Sequence, residues 1–136
     1  MRVRFLVFIC FLIIKFMESN TAKVKSKLFA KNIINLYQKI VSEKKEYVLS
    51  KQILRCGTSI GANIAESECA MSIKDFLSKI YISLKEASET LYWLDLLYET
   101  DYICKEDFLK LKKDCDEIKR MLSATTKTIT QKLSTN

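Results

Sequence analysis

Residues 47–69 read Tyr-Val-Leu-Ser-Lys-Gln-Ile-Leu-Arg-Cys-Gly-Thr-Ser-Ile-Gly-Ala-Asn-Ile-Ala-Glu-Ser-Glu-Cys. Leu49, Ile53, Cys56, Ile60 and Ile64 recur three or four residues apart, the spacing of one α-helical face. Gly57 and Gly61, the two glycines of the chain, stand inside this pattern one turn apart. Each costs about 1 kcal/mol relative to alanine in a helix interior. Their physical use is close approach, because without a Cβ another backbone or a bulky side chain can lie against the stripe. Asn63 sits at the edge of the apolar face, where an amide must find a hydrogen bond. Arg55, Ser59, Asn63 and Glu66 form the polar edge of this helix, expected to fix its register or a subunit contact. Together with the glycines they make a packing or assembly motif.

Composition supports a helical chain throughout. The 136 residues contain no proline, two glycines, 49% hydrophobic and 29% charged residues. Such a chain is too apolar to be disordered and is long enough for one core. It has no histidine, which removes Ser-His-Asp and Cys-His catalysis and histidine-containing zinc sites. Paired carboxylates such as Glu66 with Glu68, or Glu86 with Glu89, lack the Glu-x-x-His element of helical metal sites. Carboxylate chemistry is not excluded on this ground, but the expectation is no enzyme activity, no metal and no small-molecule substrate. Cys10, Cys56, Cys69, Cys104 and Cys115 contain no Cys-x-x-Cys pair, as expected for unpaired thiols in a reducing cytosol.

Outward from the glycine helix the apolar periodicity divides into three further blocks. The first, about residues 23–42, carries Phe29, Ile33, Leu36 and Ile40 on one seam, widened by Ile34, Tyr37 and Val41. Glu43–Glu46 makes a charged connection to the glycine helix, which spans about 47–68. In the third, Ile73, Leu77, Ile80, Leu84, Ala87, Leu91, Leu94 and Tyr98 form an unbroken heptad seam. Ser72 precedes it, with Asp75 three residues later, as in a capping box. The fourth repeats the device with Phe108, Leu111, Cys115, Ile118, Leu122, Thr125 and Ile129. Short connections between long amphipathic helices predict an all-α, antiparallel up-down-up-down four-helix bundle over residues 17–136.

Residues 1–16 stand apart as a leader of doubtful status. The apolar run Phe5–Ile14 follows a basic Met-Arg-Val-Arg start and is too short to cross a bilayer. Three readings compete: a true start at Met17, a signal or membrane-associating segment, and a structural extension. The nearest cleavage triplet, Asn20-Thr21-Ala22, is poor. The first reading goes with a cytoplasmic protein, the second with an exported or membrane-associated one.

The net charge of +7 is unevenly spread. Residues 23–41 hold Lys23, Lys25, Lys27, Lys31 and Lys39 and no acid, and Lys23, Lys27 and Lys31 form an i, i+4, i+8 row. Lys110, Lys112, Lys113, Lys119 and Arg120 add charge to the fourth block. The row Lys23, Lys27 and Lys31 and the five cations of the fourth block are candidate contacts to RNA or DNA phosphates, against the plain alternative that they solvate outward faces. The third block is acidic, with Asp75, Glu86, Glu89, Asp95, Glu99 and Asp101 against three lysines. It also carries Tyr81, Tyr92, Trp93 and Leu96 off its main seam, read either as a wide core stripe or as a subunit interface. In the second case a protein-interaction scaffold competes with nucleic-acid binding.

The run Leu49–Glu66 closely resembles the signature of the 23S rRNA-intervening-sequence proteins, a family that older naming treats as ribosomal proteins. Ser59-Ile60-Gly61-Ala62-Asn63-Ile64 is its most specific part, and residues 75–79 and 82–90 resemble the family's third helix. The likeness spans about residues 25–122. It implies an antiparallel four-helix bundle, a homo-oligomer with a pentameric ring as one form, and no enzymatic activity or cofactor. It also implies kinship with accessory proteins of diversity-generating retroelements, which bind nucleic acid and a protein partner. Residues 1–16 fall outside the pattern, and Cys104 stands where the family often has a serine-like cap before the last helix.

Overall fold

A computed structural model describes residues 2–19 and 21–135. Among these residues there are five helices and no strand: α1 (Arg2–Ser19), α2 (Thr21–Lys44), α3 (Leu49–Ser67), α4 (Ile73–Glu99) and α5 (Lys105–Ser134). The expectation of four helices is corrected to five, because residues 2–19 are themselves helical. Ile9 is fully buried, and Phe5 and Ile13 pack against the same core. Asn20, part of the candidate cleavage triplet, lies outside the described residues. No helix among them is long and apolar enough to cross a membrane.

Helix α2 packs on α3 and α5, α4 packs on the same two, and α1 lies against α5. The expected seam of α2 is buried in full: Phe29, Ile33, Leu36 and Ile40 are each at most 4% exposed. In α5 the seam holds except that Thr126 takes the place expected for Thr125. Thr125 instead stays half-buried and donates to its own helix at the Met121 carbonyl.

The seam of α4 is turned relative to expectation. Its buried residues are Phe76, Ile80, Ser83, Ala87, Thr90, Leu94 and Leu97, while Leu77, Leu84, Leu91 and Tyr98 flank the core half-buried. The reason is steric. Small side chains permit the closest approach, and Ser83 donates to the Ile60 carbonyl of α3 across 2.8 Å. Buried hydroxyls are tolerated because Thr90 likewise donates to the Glu86 carbonyl at 2.7 Å.

Two helix starts are closed by side chains and the end of α4 by its own backbone. Ser72 Oγ accepts from the Asp75 amide, as a capping box requires, while the Asp75 carboxylate accepts from the Met71 amide, one residue before the N-cap. Glu46 caps α3 by accepting from the amides of Val48, Leu49 and Ser50 at 3.0, 2.9 and 2.7 Å. At the end of α4, the Tyr102 backbone amide donates to the Leu97 carbonyl and the Asp101 backbone amide to that of Tyr98, a Schellman closure with Asp101 at φ 63°.

Candidate nucleic-acid interface

The glycine motif faces two neighbours. A Cβ on Gly57 would lie 2.8 Å from Cγ1 and 2.9 Å from Cγ2 of Ile33 on α2. One turn on, a Cβ on Gly61 would meet Ser26 Oγ at 3.2 Å and the Ser26 carbonyl oxygen at 3.4 Å. Arg55 and Glu66 turn the other way, to α4. Arg55 pairs with Glu86 at 3.4 Å and with Glu89, and Glu66 pairs with Lys79 at 2.8 Å. The Glu66 carboxylate raises the pKa of Lys79 through that hydrogen bond. Ser59 and Asn63 do not cross to another helix: Ser59 donates to the Arg55 carbonyl and Asn63 to the Ser59 carbonyl.

The candidate cations divide by what they touch. Lys23 is held at 2.6 Å by Glu68, the residue that follows α3. Lys112 reaches Asp95 of α4 at 3.5 Å and lies 5.3 Å from the Phe108 ring centroid. Lys119 follows Lys112 by one heptad on that side of α5 and is half-buried. Lys27, Lys31, Lys110, Lys113 and Arg120 are exposed and form no ion pair among the described residues.

These five stand on the adjacent helices α2 and α5, joined at their contact by two further ion pairs. Lys39 meets Asp107 at 2.8 Å, and Lys25 meets Glu117. The lysine hydrogen bonds hold the carboxyls of Asp107 and Glu117 below their ordinary range. Between Lys39 and Lys110 the two helices leave a cleft lined by Asn32, Asn35 and Asp107. Sequence reasoning singled out neither asparagine, since a side chain between two lysine rows gives no periodic signal. The exposed cations thus flank two ion-paired contacts between α2 and α5, with Glu106 exposed and Asp114 half-buried on the same helix as Lys110, Lys113 and Arg120.

The α4 aromatics separate similarly. Tyr81 and Tyr92 are 42% and 59% exposed, whereas Trp93 and Leu96 are half-buried. Trp93 Nε1 donates to Glu89 at 3.2 Å, joining the carboxylate that holds Arg55, and its ring meets Tyr92 edge-on at 5.2 Å. Among the described residues no cluster of three or more acids and cysteines could hold a metal ion.

The chain is similar over 79% of its length to a structure of 52% identity and TM-score 0.78, a protein with unknown function from the S23 ribosomal protein family of Bacteroides thetaiotaomicron VPI-5482. That match covers 99% of the solved chain. No curated protein matches. The profile of the 23S rRNA-intervening sequence proteins matches residues 18–124, and the chain belongs to that family.

Proposed function

We propose that the protein is a non-enzymatic, oligomeric member of its family that associates with RNA or DNA through the basic face shared by α2 and α5. The observation that carries this reading is the set of five exposed cations on two adjacent helices that form no ion pair among the described residues. Phosphate contacts of this kind give affinity with a steep salt dependence and little sequence preference. In a ring of subunits, five being the form implied by the family likeness, the modest basic face of each would join its neighbours and gain by multivalency. The same reading makes α2–α5 an antiparallel up-down-up-down four-helix bundle in a bacterial cytoplasmic protein. It is supported by contacts whose numbering runs oppositely on neighbours: Gly57 with Ile33 and Gly61 with Ser26, Lys39 with Asp107 and Lys25 with Glu117. A link to retroelement accessory proteins, which implies a protein partner as well, belongs to the same proposal.

Gel-shift titration with structured RNA and duplex DNA, paired with native mass, tests it. Binding at low salt by a multimer is expected; absence of binding at low salt, or a monomeric mass, overturns the respective half. The second reading, a protein-interaction scaffold with incidental nucleic-acid affinity, is favoured by the outward Tyr81 and Tyr92. A biological partner retained after replacement of the exposed lysines and lost after Tyr92→Ala would prefer it.

A further inference from the structure

Helix α1 is apolar on two opposite sides, and only one is covered. Towards α5 it buries Ile9 completely, packs Phe5 and Ile13 on the core, and sets Phe8 4.9 Å beneath the Lys132 ammonium. Away from α5, Val3, Leu6, Val7, Cys10, Phe11 and Ile14 line one continuous outward surface. Val3, Val7 and Phe11 are 73%, 61% and 59% exposed. Spacing of three and one places all six on a single stripe, and the packed reverse face prevents the helix from rolling it inward.

We propose that this stripe docks the protein flat on an anionic lipid bilayer. Charge selects the occupant. Arg2, Arg4 and Lys15 stand exposed at the two ends of the stripe, and no acid occurs in residues 2–17. A second copy seated on the stripe would bring these cations against their own kind in either relative direction, a like-charge juxtaposition that disfavours self-pairing. Anionic headgroups meet them instead, while the acyl boundary receives the apolar stripe, the arrangement of an in-plane amphipathic helix. At 18 residues α1 is about 27 Å long, and it is not apolar enough to cross. The stripe shares no residue with the basic face of α2 and α5.

The test is vesicle flotation of the full chain, with phosphatidylcholine vesicles and with vesicles that also contain phosphatidylserine. The protein should float with the second kind and not the first. Val7→Glu combined with Phe11→Glu should lower binding by about tenfold or more, with helix content and melting temperature retained. Arg2→Gln and Arg4→Gln should each weaken it by about fivefold at low salt. No flotation on anionic vesicles overturns the proposal, as does flotation undiminished by the double glutamate change. It is equally overturned if, without vesicles, the wild type has twice the mass of the glutamate variant, because the stripe then belongs to a second copy.

Discussion

Gly57 lies so close to Ile33 that a methyl group in place of its hydrogen would come 2.8 Å from Cγ1 of that isoleucine. Both residues are fully buried, and the contact atoms sit next to the Ile33 backbone rather than at a free side-chain end. Here α3 gives up helix propensity to bring α2 near.

Gly57→Ala should therefore destabilise. Alanine gains about 1 kcal/mol of helix propensity, but overpacking of a closed core costs about 1–3 kcal/mol. Gly61→Ala should be close to neutral, since the Ser26 hydroxyl, which donates to the Lys23 carbonyl at 3.0 Å, need yield only a few tenths of an ångström, about what the gain in helix propensity offsets. In an Ile33→Ala background the Gly57→Ala change should turn stabilising. Urea unfolding of the four-variant cycle checks the sign reversal; additive single effects would refute the close contact.

Glu46 should make folding stability pH-dependent. Partial burial works to raise its pKa, but the Leu49, Ser50 and Val48 amides outweigh burial and leave it below the ordinary 4.5. A depressed folded value means stability that is present above the unfolded pKa and lost as pH falls through the folded one. Glu46→Gln should cost about 1 kcal/mol at neutral pH, the size of a helix cap, and the cost should vanish in acid. Thermal melts of both proteins across that range measure it, and a pH-independent difference would reject the capping role.

Lys45 follows the last residue of α2 at φ 52°, a conformation that suits glycine. Lys45→Gly should raise stability by about 0.5–1 kcal/mol. At the start of α5, Cys104 holds the N-cap position without a capping hydrogen bond to the backbone. Cys104→Ser should add about 0.5–1 kcal/mol, because serine oxygen accepts from the first-turn amides. Differential scanning calorimetry resolves both; a lowered melting temperature in either contradicts the local geometry.

Thiol chemistry should sort the five cysteines by environment. Burial pushes Cys56 up to about 11 and Cys115 up to about 12, and Cys115 Sγ lies 3.4 Å from the Ala87 carbonyl oxygen. Cys10, Cys69 and Cys104 are exposed. A disulfide reagent at mildly alkaline pH should titrate the exposed three in the native protein and all five after denaturation. Rapid native modification of Cys56 or Cys115 would show that the core opens locally.

Much of the helical plan was legible because it is written in apolar spacing. The seam of α2 and nearly all of that of α5 follow directly from residues three and four apart. Helix α4 misleads for a physical reason: its leucines 77, 84 and 91 mark the flanks, while Ser83 and Thr90 face the core because small groups allow α3 to approach. Polarity alone hides such positions. The cap by Glu46 is likewise invisible, since it depends on a turn folding the carboxylate back onto three amides. Within the lysine row the sequence cannot separate Lys23 from Lys27 and Lys31. Only the fold brings Glu68 beside the first and leaves the other two open.

That division of paired from unpaired cations supports the proposed function and has a direct measurement: the slope of log binding constant against log salt for duplex nucleic acid. Replacing Lys27, Lys31, Lys113 and Arg120 by glutamine should reduce the slope by about 0.9 for each phosphate that is no longer neutralised. Replacing the ion-paired Lys23 and Lys112 should leave it nearly unchanged. Equal slopes in wild type and the four-site variant, or a larger drop from the Lys23 and Lys112 pair, would contradict the account.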